Sequence, residues 1–118
     1  MFEVENPRDW IDLPVVDPEN SKIGNLESIY FDTATDLPAF AAITTGILGG
    51  SKLVFAPLEG AVVTPKHLKV RFPKKLIKDA PFIATDGELE ASQEPNIFAH
   101  YGLTYVTGSN GERRLGRR

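Results

Sequence analysis

The residues whose types and spacing come nearest to chemistry lie in ITTGILGGSKLVFAPLEGA, from Ile43 to Ala61. Gly46, Gly49 and Gly50 precede Ser51 and Lys52, and a glycine-rich stretch with one lysine is the raw material of a phosphate-binding loop. Such a loop needs a hydroxyl residue after the lysine and a helix opening on it, because the helix N-terminus supplies amides and dipole to the phosphate. Here the serine precedes the lysine, and LVFAP, a β-branched and aromatic run, follows it. The segment therefore reads as the turn of a β-hairpin, with glycines supplying positive φ. Ile47 and Leu48 sit among those glycines. Two readings stay open for them: they fold back to plug one end of the molecule, or they form a knob that contacts a partner.

The remaining reactive side chains are sparse. His67 and His100 are the only histidines and there is no cysteine, so the ligand count falls short of a zinc site. Asp32 and Asp36 flank TAT and could meet a hard cation, but the alternating acidic pattern of a calcium loop is missing. They read as turn residues that hold backbone N–H groups. None of Ser21, Ser28, Ser51, Ser92 and Ser109 lies in a Gly-x-Ser-x-Gly elbow. We therefore expect no catalytic residue, no cofactor and no metal. The C-terminal ERRLGRR offers Arg113, Arg114, Arg117 and Arg118 as contacts for a phosphate or an acidic partner, against the plainer reading of a solvated end. Trp10, the only tryptophan, reads as a lid over the first strands.

The elements that would position these residues are mostly strands. The 118 residues suffice for one domain with its own core. The net charge of −3 carries no nucleic-acid footprint, and direct DNA binding is not expected. No apolar run approaches the ~20 residues that span a bilayer, and MFEVENPRDW lacks a signal-peptide pattern, so a cytoplasmic protein is expected. From Trp10 to Phe72, short apolar runs alternate with turn residues at the spacing of a small all-β barrel. The expected strands are Val15-Val16, Ile23 to Phe31, AFAAITT, KLVFAP, AVV and HLKVRF. In the second of these, Leu26 and Ile29 have opposite parity, which calls for a bulge near Glu27-Ser28 or for burial of both faces. HLKVRF alternates cleanly, with Leu68, Val70 and Phe72 on one face.

From Pro73 to Leu103 the pattern turns helical. PKKLIKDAP starts at Pro73 and stops before Pro81. Ser92 is placed to cap a second helix through QEPNIFAHY, ended by a left-handed Gly102, with Ile97, Phe98 and Tyr101 facing the sheet. The domain is thus expected over residues 10–103, and residues 104–118 as a basic, weakly ordered tail.

This ordered series resembles the PRC-barrel family, named after the cytoplasmic domain of the photosynthetic reaction centre H subunit. VVDPENSKIGNLESIYFD is similar to its opening strand, turn, Ile-Gly and second strand. DLPAFAAITTGILGG, LVFAPLEGAVV and HLKV are similar to the strands that follow. PKKLIKDAPFIATDGELE and IFAHYGL are similar to the C-terminal extension of stand-alone bacterial members, actinobacterial ones in particular. The same fold forms the C-terminal domain of ribosome-assembly factors. The chain shows neither the membrane helix of a full H subunit nor the preceding domain of an assembly factor. The resemblance implies an all-β barrel of about six strands, closed or nearly so, with C-terminal helical segments. It implies no shared catalytic residue. The expected function is a non-catalytic protein-interaction or adaptor module, able to form a homodimer through an exposed strand edge. The alternatives are an RNA-linked role in ribosome assembly, with the arginine tail as the contact, and a small-ligand-binding barrel.

Overall fold

Strands form where the sequence runs apolar between turn residues, and helices where prolines and charged residues replace that pattern. The computed structural model describes residues 7–47, 50–84, 89–105 and 114–117. Strands β1 (Pro14–Val16), β2 (Lys22–Asp32), β3 (Pro38–Ile47), β4 (Gly50–Pro57), β5 (Val62–Val63), β6 (Leu68–Lys69), β7 (Phe82–Ala84) and β8 (Leu115–Arg117) form one sheet. Its order is β5-β6-β1-β2-β3-β4-β7, and β8 pairs with the end of β2 that β1 does not reach. Helices α1 (Lys74–Lys78) and α2 (Glu94–His100) complete an all-β fold with a helical C-terminal part. Among the described residues no helix is long and apolar enough to cross a membrane.

The structure corrects two architectural expectations. Among the described residues the sheet has eight strands, and it does not close into a barrel, because β5 and β7 end the path without pairing with each other. These terminal strands are only two and three residues long, and the chain between β6 and β7 is taken up by α1. The two added strands arise differently. Phe82 and Ile83 are good strand formers just after α1, and they pair with Val54 and Leu53 of β4. β8 comes from the segment expected to be weakly ordered: its Leu115 is fully buried, which gives those residues a reason to dock.

The parity conflict in β2 resolves as a bulge. Leu26 pairs with Ile43 but Ser28 pairs with Ala42, so Glu27 is the extra residue, and Leu26 and Ile29 both enter the core. A second irregularity between Tyr30 and Phe31 bends the strand again. Ala41, Ala42 and Ala56 are fully buried where β3 meets β4, leaving room for Phe55, whose ring lies edge-on to Tyr30 at 5.4 Å.

Pro73 opens α1 without a side-chain cap, as its fixed φ and missing N–H allow. The start of the second helical segment differs from expectation. Ser92 lies inside a short 3-10 turn, and the pairing is made instead by Gln93, whose side chain accepts from the Glu90 N–H. Gly102 is left-handed at φ 70°, and Leu103 N–H donates to Phe98 O while Gly102 N–H donates to Ala99 O. That pair of bonds satisfies the last carbonyls of α2. Ile97, Phe98 and Tyr101 pack inward as their spacing predicts, and Phe98 sits 5.1 Å from Phe40.

A candidate interaction surface

The glycine-rich segment is a hairpin. β3 and β4 pair from Phe40↔Pro57 to Ile47↔Gly50, and strand follows strand. Ile47 ends β3, but its side chain and Leu48 lie outside the described residues. Arg113 and Arg118 also lie outside them, as does the side chain of Arg117, whose backbone pairs with Tyr30. Arg114 is described, and it turns inward. Its Nε and Nη2 both donate to Asp32 Oδ2 at 2.8 Å. Of the four arginines, only Arg114 has a described side chain. The structure uses it to hold the chain end.

That end is held at a second point by Glu94, to which the sequence analysis assigned no role. Its side chain is fully buried, and Oε1 accepts from Arg114 N–H at 2.9 Å, Leu115 N–H at 3.2 Å and the Tyr105 hydroxyl at 2.8 Å. Asp32 also holds its own turn, with Oδ1 accepting from the N–H of Ala34 and Thr35. Asp17 acts similarly elsewhere. Its Oδ1 accepts from Glu19 and Ser21 N–H, and its Oδ2 from Lys74 N–H, so one carboxylate ties the β1–β2 turn to α1.

For both aspartates burial pushes the pKa up, but the donors outweigh it. Asp17 is held below the ordinary value by the N–H groups of Lys74, Ser21 and Glu19 and by the Lys74 charge. Asp32 is held below it by the Arg114 hydrogen bond and charge and by Ala34 and Thr35 N–H. A carboxylate depressed on folding stabilises above its unfolded pKa, about 3.9, and loses that contribution as pH falls through the folded value. We therefore expect stability to be level near neutrality and to drop below about pH 4. In an acid titration followed by circular dichroism, Asp32→Asn should be less stable at neutral pH and show a shallower acid dependence. An identical slope in wild type and variant would refute this account.

An apolar groove of about 300 Å³ is lined by Trp10, Leu37, Pro38, Leu58, Ala61, Val63 and Leu68. Leu37 is 63% exposed, Val62 57% and Ile11 38%, and each adjoins a lining residue in sequence or is one. Trp10 packs against the core and lines this groove with Pro38 of β3, Val63 of β5 and Leu68 of β6, and its indole N–H is buried without an acceptor among the described residues. The lining holds no titratable group, so the groove can bind apolar surface and offers nothing to move a proton. A neighbouring cleft of about 320 Å³ includes Asp32 and Glu59, but these already pair with Arg114 and Arg71. Among the described residues no three of His, Asp and Glu gather as a metal site. His100 Nε2 instead lies 2.6 Å from Leu76 O.

The model of the PRC-barrel domain matches residues 2–77 of the chain. A comparison with curated proteins finds no match.

Proposed function

The chain belongs to the PRC-barrel domain family, and from that premise we propose that it is a non-catalytic protein-interaction module that docks its partner over the Trp10 groove. The observation that carries this reading is the exposure of Leu37 and Val62 beside an apolar cavity whose lining has no titratable group. Exposed apolar surface joined to a groove is the usual mark of a docking site, and Trp10 supplies the large side chain on which such sites depend. Self-association across this face is one form of the same function, since an isologous contact lets one patch serve both subunits. The RNA-linked reading ranks lower because Arg114 is engaged with Asp32 and the chain end lies on β2.

The test is capture from extract of the native host, treated with nuclease, using wild type and a Leu37→Asp/Val62→Asp variant. Both residues are exposed, so each substitution should change stability by less than about 0.5 kcal/mol. We expect the variant to lose a partner that wild type retains, identified by mass spectrometry, or to lose a self-association seen by sedimentation. The same partners and the same sedimentation for both proteins would overturn the assignment.

A further inference from the structure

The path of the sheet has two ends, and they differ. At one, β7 follows Pro81 and carries Phe82 under Lys52 Nζ, 4.3 Å from the ring centre. A proline and a lysine are common guards of a strand edge. At the other, β5 contains neither and pairs only with β6 among the described residues. The pairs are Val62↔Lys69 and Val63↔Leu68. Just beyond them Thr64 N–H donates to His67 O at 2.9 Å, which fixes the phase of the ladder. Backbone groups in an antiparallel pair alternate between facing the neighbouring strand and facing away. Those of Thr64 and Val62 face β6, so the N–H and C=O of Val63 point away from it. Among the described residues neither group is hydrogen-bonded. Val63 and Leu68, which stand opposite each other, both line the Trp10 groove. The open edge of the sheet and the apolar groove are therefore one place.

We propose that β5 takes up an extended segment of the partner as an added antiparallel strand, which accepts from the Val63 N–H, donates to the Val63 C=O and sets alternate apolar side chains in the Trp10 groove. The proposal rests on reading the groove as the docking site, and it names the form in which the partner docks. Hydrogen bonding decides between an extended segment and a helix. A helix satisfies its own backbone, so seating one over the groove would cover the Val63 N–H and C=O and leave them with neither water nor partner. A strand brings an acceptor to the one and a donor to the other. Antiparallel pairing is the more stable per residue, and two residues that exchange both bonds place their side chains on one face. The partner residue bonded to Val63 therefore points into the groove. That lining has no titratable group and one polar hydrogen, the Trp10 indole N–H, so aliphatic side chains fit it and charged ones do not.

The probe is a heptapeptide of alternating valine and threonine between lysine ends, titrated into the full chain. Two readouts separate the groove from the strand. Trp10 is the only tryptophan, so its emission reports occupancy of the groove. The Val63 amide, followed by NMR, reports the added strand. We expect the emission to change and exchange of the Val63 amide to slow at least about tenfold at saturation. N-methylation of the valines, whose N–H groups face β5 in this register, should weaken binding at least about tenfold. N-methylation of the threonines, whose N–H groups face away, should weaken it less than about threefold. Val63→Pro removes the outward N–H without breaking the β5–β6 ladder, so it should fold and bind as poorly as wild type binds the methylated valine peptide. If that variant unfolds, the methylated peptides on wild type decide alone. A change in Trp10 emission with the Val63 amide unaffected, or equal loss from both methylations, would overturn the strand and leave the groove in place. No change in either readout would also overturn the strand, and the capture experiment with Leu37→Asp/Val62→Asp judges the groove independently.

Discussion

Glu94→Ala is expected to lower the unfolding free energy by about 3–5 kcal/mol and to free the C-terminal strand from β2. The side chain is fully buried, and one oxygen serves two backbone N–H groups and a hydroxyl. Deleting it orphans those donors, and each buried unsatisfied donor costs about 1–3 kcal/mol. The sum is not reached in full, because the donors can regain water if β8 lifts away. That escape has its own cost: Leu115 loses its burial, worth about 2 kcal/mol, and Asp32 loses its Arg114 partner. Glu94→Gln keeps an acceptor in place and should lose less than half as much. Urea unfolding measures the total, and hydrogen exchange at Tyr30–Asp32, the residues that β8 covers, shows whether the strand has lifted. A loss under about 1 kcal/mol with those amides still protected would mean that Glu94 does not hold the chain end.

How much of this was legible in the sequence depends on distance along the chain. The β2 bulge was legible because it is a local conflict: Leu26 and Ile29 cannot share a face of a regular strand, and Glu27 is where the register slips. The Gly102 cap and the inward face of α2 were legible for the same reason. Openness of the sheet was not, since closure depends on whether β5 and β7 meet, and no local pattern encodes that. The docking of β8 was hidden further. Its signal is one leucine among arginines, and its counterpart is a glutamate twenty residues earlier by the count between Glu94 and Arg114. The groove draws on separate segments around Trp10, Leu37, Leu58, Val63 and Leu68, so no window contains it.

The Ile-Gly pair at the start of β2 has a steric explanation that leads to the second large effect. Gly24 lies on β2 opposite Val15 of β1, with β3 on its other side. A Cβ built there would fall well inside contact with the backbone oxygen of Thr44, and 2.9 Å from Ile43 Cγ2. The isoleucine methyl can rotate, but a carbonyl locked in a sheet cannot. Gly24→Ala must therefore push β2 and β3 apart where their pairing begins, at Asn25↔Thr44, and should cost about 3 kcal/mol or more. Gly102→Ala is the informative comparison. At Gly102 a Cβ meets nothing within 4 Å, and only the positive φ penalises it, about 1–2 kcal/mol. The two substitutions add the same methyl group but separate crowding from backbone strain. Denaturant unfolding should rank Gly24→Ala well below Gly102→Ala in stability. The opposite order would mean that β2 and β3 have slack at this point, and that Gly24 is there for its backbone freedom instead of its size.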